Sequence, residues 1–283
     1  MIAYAPHRIS YFGGGTDFEE FYRNGREGVI ISVAIDRYSR ITTNGQQSMI
    51  ESDVPTGSGL GGSGALMVNW VNLHDRLNDS TRYNPELLAE AAYRLERDVL
   101  GRAVGKQDHY ASACGWLARY SFRDDNKAVK CYPYPESVCE FMMERTLLFY
   151  LGQPRNAGPR LQQLRANILN TKLYSTLAEM VGIAWKAAAE IWDKRADRIG
   201  YLLEEAWRLK CLYGNVTTTD IEYARSIAIK NGAYSAKITG AGGGGHLLVF
   251  AEPEKHNAII SALSKLAKHI PVKVSRGAWV QSD

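Results

Sequence analysis

The chain has 283 residues, 45% of them hydrophobic and 23% charged, with a formal net charge of +4. Those values suit a soluble globular protein of two domains or one large one; so mild a charge makes no case for nucleic acid, though it suits small anionic substrates. No apolar run approaches the ~18 residues of a membrane span, and the first residues lack the apolar core of a signal peptide.

Met1 to Ala5 reads as a strand leading into Pro6-His-Arg-Ile-Ser-Tyr-Phe-Gly-Gly-Gly-Thr-Asp17, whose three glycines suggest a turn where backbone meets ligand. Val29 to Ile35 is β-rich, Arg37 to Thr43 continues the sheet, and Asn44 to Met49 is turn-like. Next comes Pro55-Thr-Gly-Ser-Gly-Leu-Gly-Gly-Ser-Gly-Ala65, which runs without a break into a predicted helix, Leu66 to Leu77. Asn84-Pro85 is a helix start, with Asn as cap and Pro at the first position. Apolar residues at 87, 88, 91, 92, 95 and 99 carry that helix to Gly101. Gly105-Lys-Gln-Asp-His-Tyr110 follows, with another helix predicted from Ala111. Trp116 to Phe122 and Ala128 to Tyr132 form a predicted hairpin around Asp124-Asp-Asn126.

Thr146 to Leu151 is an apolar strand opening a helix-rich half: Leu161 to Leu169, Thr171 to Trp192, Arg195 to Tyr213 and Asp220 to Asn231, the last capped at Thr219-Asp220. Ala233 to Ile238 leads to Thr239-Gly-Ala-Gly-Gly-Gly-Gly245, and His246 to Phe250 leaves it as a strand. Pro253 to His269 is predicted as an amphipathic helix; Val272 to Val274 and Ala278 to Val280 read as short strands. This order is α+β, with a domain boundary near residue 140. The four cysteines, Cys114, Cys131, Cys139 and Cys211, form no CxxC pair and have no histidine at metal spacing, which points to reduced thiols in a cytoplasmic protein.

Three glycine-rich turns in one chain suggest several backbone segments gathered round one ligand. A glycine/serine loop feeding a helix start is an anion cradle, because unpaired N–H groups and the helix dipole both point at the ligand. The middle loop also fits G-x-G-x-x-G at Gly57, Gly59 and Gly62. A dinucleotide fold would need a buried strand directly before it and an acid ending the next strand, and neither is present. No GxxxxGK[ST] occurs, so the P-loop fails too.

The loop Pro55 to Ala65 resembles the phosphate-binding loop of the GHMP kinases, the superfamily of galactokinase, homoserine kinase, mevalonate kinase and phosphomevalonate kinase. Ala5 to Asp17 resembles that family's N-terminal motif, and Lys237-Ile-Thr-Gly-Ala-Gly-Gly-Gly-Gly245 its C-terminal motif. Gly-Gly-Gly-Thr-Asp17 together with Gly105-Lys-Gln-Asp108 looks closest to the kinases that phosphorylate C1 of D-glycero-D-manno-heptose 7-phosphate. The resemblance implies the GHMP kinase fold: residues 1–140 as an N-terminal domain like domain 2 of ribosomal protein S5, residues 141–283 as a C-terminal ferredoxin-like domain, and a site in the cleft between them. It implies ATP and Mg²⁺, a small sugar phosphate as acceptor, and no nucleic-acid or membrane partner, in nucleotide-activated heptose synthesis for surface polysaccharide. Oligomeric state stays open, a homodimer among the alternatives. A kinase of another sugar, such as fucose or galactose, and a catalytically weak nucleotide-binding regulator are the rival readings.

By resemblance, ATP phosphates lie on Pro55, Gly57, Ser58, Gly59, Leu60, Gly61, Gly62, Ser63 and Gly64. Ser63 and Glu96 match the family's Mg²⁺ residues, and one serine and one glutamate suffice for an ion that keeps phosphate oxygens. Asp108 matches the proposed catalytic base, with Arg8 and Lys106 supplying positive charge near the transferring group. Gly14, Gly15, Thr16 and Asp17 would hold the sugar, with Gly242 and Gly243 from the last loop. Arg155, Arg160 and Lys210 are candidates for the acceptor's own phosphate. Two departures stand out. Gly62 replaces a serine common in the family. The segment Ile41 to Pro55 is short, where the family places further strands and a helix, so it is either a shortened natural variant or a stretch from which residues are missing, the second being the favoured reading. Nucleotide-base contacts come from that stretch in the family, and no residue is assigned to them.

Overall fold

The structure is a computed structural model that describes residues 1–23, 25–77, 84–124, 129–152, 158–212 and 216–282. In chain order it contains β1 (Ile2–Phe12), α1 (Glu19–Tyr22), β2 (Gly28–Thr43), β3 (Ser48–Ser52), α2 (Gly62–Leu77), α3 (Pro85–Arg94) and a π-helical turn (Leu95–Val99). There follow α4 (Gln107–Cys114), β4 (Leu117–Phe122), β5 (Lys130–Pro133), α5 (Glu136–Glu144), β6 (Thr146–Tyr150), α6 (Gly158–Asn167), α7 (Thr171–Trp192) and α8 (Ala196–Cys211). Last come α9 (Thr219–Lys230), β7 (Ser235–Ile238), β8 (His246–Phe250), a 3₁₀ turn (Pro253–Lys255), α10 (His256–Leu263), β9 (Lys268–His269) and β10 (Trp279–Gln281).

Both sheets are antiparallel. The first runs β10-β1-β2-β4-β5, with β3 paired to the end of β2; the second runs β7-β8-β6-β9. Strand β2 shows why the first sheet is covered on both faces. Val29, Ile31, Val33 and Ile35 join one apolar cluster with Ala184 and Ile191 of α7 and with Leu248 and Phe250 of β8. Ile30 points the other way, into a cluster with Val68 of α2, Ala92 of α3 and Tyr110 of α4. Side chains alternate along a strand, so a continuous apolar run is what a doubly covered strand requires.

Asn84 caps α3 by accepting from the N–H groups of Glu86 and Leu87, with Pro85 at the first helical position, as the sequence predicts. The predicted hairpin is β4–β5; residues 125–128 of its turn lie outside the described residues. Other elements differ from expectation. The cap of α9 is Thr218, whose Oγ1 accepts from Ile221 N–H, in place of Thr219-Asp220. The helix predicted over Pro253 to His269 ends at Leu263, because Lys268–His269 pairs with β6 as an edge strand. The predicted start at Ala111 moves back to Gln107, for a reason found in the site below. β10 pairs with β1, so the end of the chain closes the first sheet. Residues 44–47 turn β2 into β3, with Asn44 Oδ1 accepting from Gln46 and Gln47 N–H, and every residue of β3 is exposed.

Candidate active site

The Gly/Ser loop lines a cleft of about 1630 Å³, along with residues from β1, α4, α6, α8 and the loop after β7. That is larger than the ~300–1,000 Å³ typical of a single small-molecule site, so it has room for two ligands side by side. The loop reaches the cleft from Pro55 to Gly59 and from Gly61 to Ser63. Leu60 and Gly64 do not: the Leu60 side chain is buried in the core, and Gly64 is buried against Asp108. The loop is pinned from two sides. Leu60 C=O accepts from Arg8 N–H at 3.0 Å, and Ser58 C=O accepts from His246 N–H at 3.2 Å and from His246 Nδ1 at 2.8 Å. A carbonyl only accepts, so the proton of His246 sits on Nδ1. Gly59 and Gly240 touch back to back; a Cβ on Gly240 would lie 2.7 Å from Gly59 Cα, and both have positive φ. The first and third glycine motifs thus meet the second at the cleft. At Ser63 the loop passes into α2, which begins at Gly62.

Asp108 stands in the first turn of α4 and lines the cleft. Arg8, buried at the middle of β1, holds it: Nε donates at 2.8 Å and Nη2 lies at 2.6 Å, both on Oδ1. Arg8 Nη1 also donates to Gly59 C=O at 2.8 Å, which ties the phosphate loop to the same guanidinium. The expectation for Lys106 is corrected. Its ammonium donates to Glu90 Oε2 at 2.8 Å, lies 3.8 Å from Glu19 Oε1 and sits over the Tyr93 ring. Lys106 is a buried, neutralised cation away from the cleft lining.

Gly14, Gly15 and Asp17 line the cleft. Thr16 does not. Its Oγ1 donates to Val29 C=O and accepts from Val29 N–H, so it fastens the turn to β2 and is corrected as a ligand residue. Asp17 is fully buried. Its Oδ1 accepts from Gly15 N–H at 3.1 Å, and its Oδ2 from Gln107 N–H at 3.0 Å. A carboxylate at the first N–H of α4 offsets the positive end of that helix, which is why α4 starts earlier than its own sequence suggests. Burial raises Asp17 to about 6, against the backbone hydrogen bond from Gln107, which lowers it.

Glu96 lies in the π turn Leu95–Val99, and its side chain is 1% exposed. Its Oε1 accepts from Ser63 Oγ and from Arg102 Nη1, the latter at 3.3 Å; its Oε2 accepts from His109 Nε2 at 2.8 Å. Burial pushes Glu96 up, but the hydrogen bonds from His109, Ser63 and Arg102 outweigh it and hold the carboxyl below the usual range. Ser63 Oγ and Glu96 Oε1 converge as two hard oxygens with a cation, Arg102, already drawn to both. Among the described residues there is no cluster of three or more His, Cys, Asp or Glu side chains able to hold a metal. That donor set fits Mg²⁺, which takes one or two protein oxygens and completes its shell with phosphate and water.

Lys210, Lys237 and Arg160 also line the cleft. Lys210 is buried, and its Nζ donates to Ile238 C=O at 3.4 Å and to Gly240 C=O. Burial lowers its ammonium to about 8, with Arg8 and Arg160 adding repulsion. Lys237 is buried on β7 and donates to Ser10 C=O and Tyr11 C=O; burial, then repulsion from Lys210 and Arg8, pushes it well below the usual lysine value. Arg160 Nη1 donates to Gly242 C=O and crosses over Gly243. Gly242 lines the cleft and Gly243 sits behind it, its N–H bonded to Val216 C=O. Arg155 lies outside the described residues. Lys237 is the residue that sequence reasoning passes over: a lysine ending an apolar strand looks like a solvated strand terminus.

Two antiparallel sheets thus frame a cleft lined by a glycine/serine loop entering a helix and by an arginine-held aspartate. The chain matches the GHMP kinases N terminal domain over residues 29–116 and the GHMP kinases C terminal domain over residues 185–269, together more than half its length. The chain belongs to the GHMP kinase family, and its fold is the GHMP kinase fold. It is 31% identical over 224 residues to D-glycero-alpha-D-manno-heptose 7-phosphate kinase of Campylobacter jejuni, covering 76% of this chain and 63% of that protein. It is 28% identical over 233 residues to mevalonate kinase of Thermococcus sibiricus, covering 80% of this chain and 66% of that protein. It therefore spans just under two thirds of the length of these relatives. A crystal structure of a D-glycero-D-manno-heptose 1-phosphate kinase from Bacteroides thetaiotaomicron superposes with a TM-score of 0.78 at 19% identity, covering 100% of this chain and 99% of that one. Among the described residues, no helix is long and apolar enough to cross a membrane.

Proposed function

We propose that the chain is an ATP-dependent kinase that phosphorylates the C1 hydroxyl of D-glycero-D-manno-heptose 7-phosphate, in the cytoplasm and on the way to nucleotide-activated heptose for surface polysaccharide. The observation that carries this reading is the Arg8–Asp108 pair, seated where the phosphate loop enters α2.

In this reading, the backbone N–H groups of Gly57 to Ser63 and the start of α2 receive the triphosphate. Ser63 and Glu96 would hold Mg²⁺, which would supply charge neutralisation on the phosphate oxygens. The acceptor enters between Gly14–Gly15 and Asp17. Asp108 takes the proton of the C1 hydroxyl as its oxygen bonds to the γ-phosphorus, and the bond from that phosphorus to the β,γ-bridging oxygen breaks. An anomeric hydroxyl is more acidic than an ordinary alcohol, so modest base assistance is enough. Arg8 orients Asp108 by placing two nitrogens on one oxygen, and Oδ2 takes no protein hydrogen bond among the described residues. Lys210, Lys237 and Arg160 give the cleft a positive wall for the phosphate that the acceptor already carries. Among the described residues Lys210 and Lys237 have no carboxylate partner, and buried ammoniums of that kind are costly until an anion arrives.

The test is a panel of sugars and sugar phosphates with ADP release as readout, followed by assignment of the phosphorylated carbon by phosphorus–proton NMR. Turnover of heptose 7-phosphate at C1 well above fucose, galactose and mevalonate supports the reading. Preference for an unphosphorylated sugar would transfer it to another sugar kinase, and ATP binding with no turnover on any acceptor would favour a regulator.

A further inference from the structure

Arg102 occupies the two oxygens assigned to the metal. Its Nη1 donates to Ser63 Oγ at 2.8 Å and to Glu96 Oε1 at 3.3 Å. The arginine side chain is 52% exposed, whereas that of Glu96 is 1% exposed. Arg102 belongs to the irregular run between the π turn and α4, next to Gly101, whose φ is +66 and around which a Cβ would meet nothing within 4 Å. The backbone of this run is fixed independently of the side chain, since Arg102 N–H donates to Glu96 C=O at 3.1 Å.

A guanidinium has only donors and is permanently charged, so it cannot ligate a metal and cannot share an oxygen pair with one. A buried carboxylate facing a cleft without a cation would carry a large desolvation cost. We propose that Arg102 is the exchangeable counter-cation of this seat: it neutralises Glu96 and donates to Ser63 Oγ before ligand arrives, and gives both up when the divalent cation binds. The inference rests on the reading of Ser63 and Glu96 as the metal seat. His109 makes the exchange workable. It holds Oε2 at 2.8 Å from the side away from Arg102, so the carboxylate stays aimed while its other oxygen changes partner. Divalent-ion affinity is then the result of a competition between the metal and an arginine of the same chain, and removing the arginine should tighten it.

The experiment is a titration of the full chain with Mn²⁺, followed by electron paramagnetic resonance, alone and with a non-hydrolysable ATP analogue. Wild type, Arg102→Ala, Arg102→Gln and Glu96→Gln are compared, with melting curves to establish that each is folded. The proposal expects both Arg102 variants to bind Mn²⁺ about two- to fivefold more tightly, the range of one exposed ion pair, and Glu96→Gln to lose the site. Equal or weaker binding in both Arg102 variants, with Glu96→Gln still defective, overturns the competition while leaving the metal seat in place. Unchanged binding in Glu96→Gln, or no binding in wild type, removes the seat and the proposal with it. Arg102→Gln keeps a polar side chain at the loop, so a folding defect confined to Arg102→Ala still leaves a decisive comparison.

Discussion

Arg8 and Asp108, 100 residues apart in the chain, meet through a single carboxylate oxygen: Nε at 2.8 Å and Nη2 at 2.6 Å both fall on Oδ1. Oδ1 is committed to the protein, and among the described residues Oδ2 takes no protein hydrogen bond. That asymmetry suits the base proposed above, because orientation and reactivity are divided between two atoms of the same group.

Asp108→Asn is expected to fold normally and lose phosphoryl transfer, by at least ~100-fold in kcat, the usual reach of a positioned general base. An amide accepts from Arg8 through its oxygen but cannot take a proton. Turnover within a few fold of wild type, measured by ADP release, would rule out Asp108 as the base.

Gly64→Ala tests how closely α2 must approach α4. A Cβ at position 64 would lie 2.6 Å from Asp108 Cβ and 3.2 Å from His109 N. Overpacking of this kind costs about 1–3 kcal/mol, and here it would displace the base. Gly62→Ala is the control: its Cβ would come no closer than 3.4 Å to His7 Cε1. We expect Gly64→Ala to lower both melting temperature and kcat, and Gly62→Ala to leave the melting temperature near wild type. Similar behaviour of the two variants would show that the close approach does not matter.

The buried Asp17 carboxyl, raised to about 6, makes a pH prediction. An unfolded aspartate titrates near ~3.9. Between roughly pH 4 and 6 the native state holds a proton that the unfolded state lacks, so this group's contribution to stability falls as pH rises through that window and is flat above it. Acceptor binding runs the other way, since sugar hydroxyls donate to the ionised form, and the acceptor KM should rise as pH drops below about 6. Asp17→Asn should flatten the stability slope from this group and raise the acceptor KM at every pH. A KM profile unchanged by Asp17→Asn would remove Asp17 from the acceptor site.

Lys210→Met tests the cationic wall. Losing one hydrogen bond to a charged group costs about 1.5–3 kcal/mol, or about 10- to 100-fold in KM for a phosphorylated acceptor. The ATP KM should move far less. Stability should hold or improve, because a buried ammonium already lowered to about 8 is replaced by an apolar chain of similar length. An unaltered KM for heptose 7-phosphate would exclude Lys210 from its phosphate.

What the sequence determined by itself is local. A cap such as Asn84 and the start at Pro85 involve neighbours within one turn, and the apolar run Val29 to Ile35 carries its own strand preference. The three glycine loops are legible for the same reason: backbone exposed to a ligand needs residues without side chains, and that need is written at consecutive positions. Tertiary structure decided what each charged residue does. Arg8 and Lys106 look alike as cations beside glycine motifs, yet Arg8 reaches Asp108 and Lys106 is taken by Glu90, because only β1 passes under the loop while α3 covers the other side. Asp17 starts α4 from 90 residues away, so no window around Gln107 could place that helix. Lys268–His269 turns out as an edge strand because β6 offers unpaired backbone there, a partner about 120 residues distant in sequence and invisible to periodicity. A charge's function depends on which neighbour desolvates or pairs it, and that is fixed only when the chain has closed on itself.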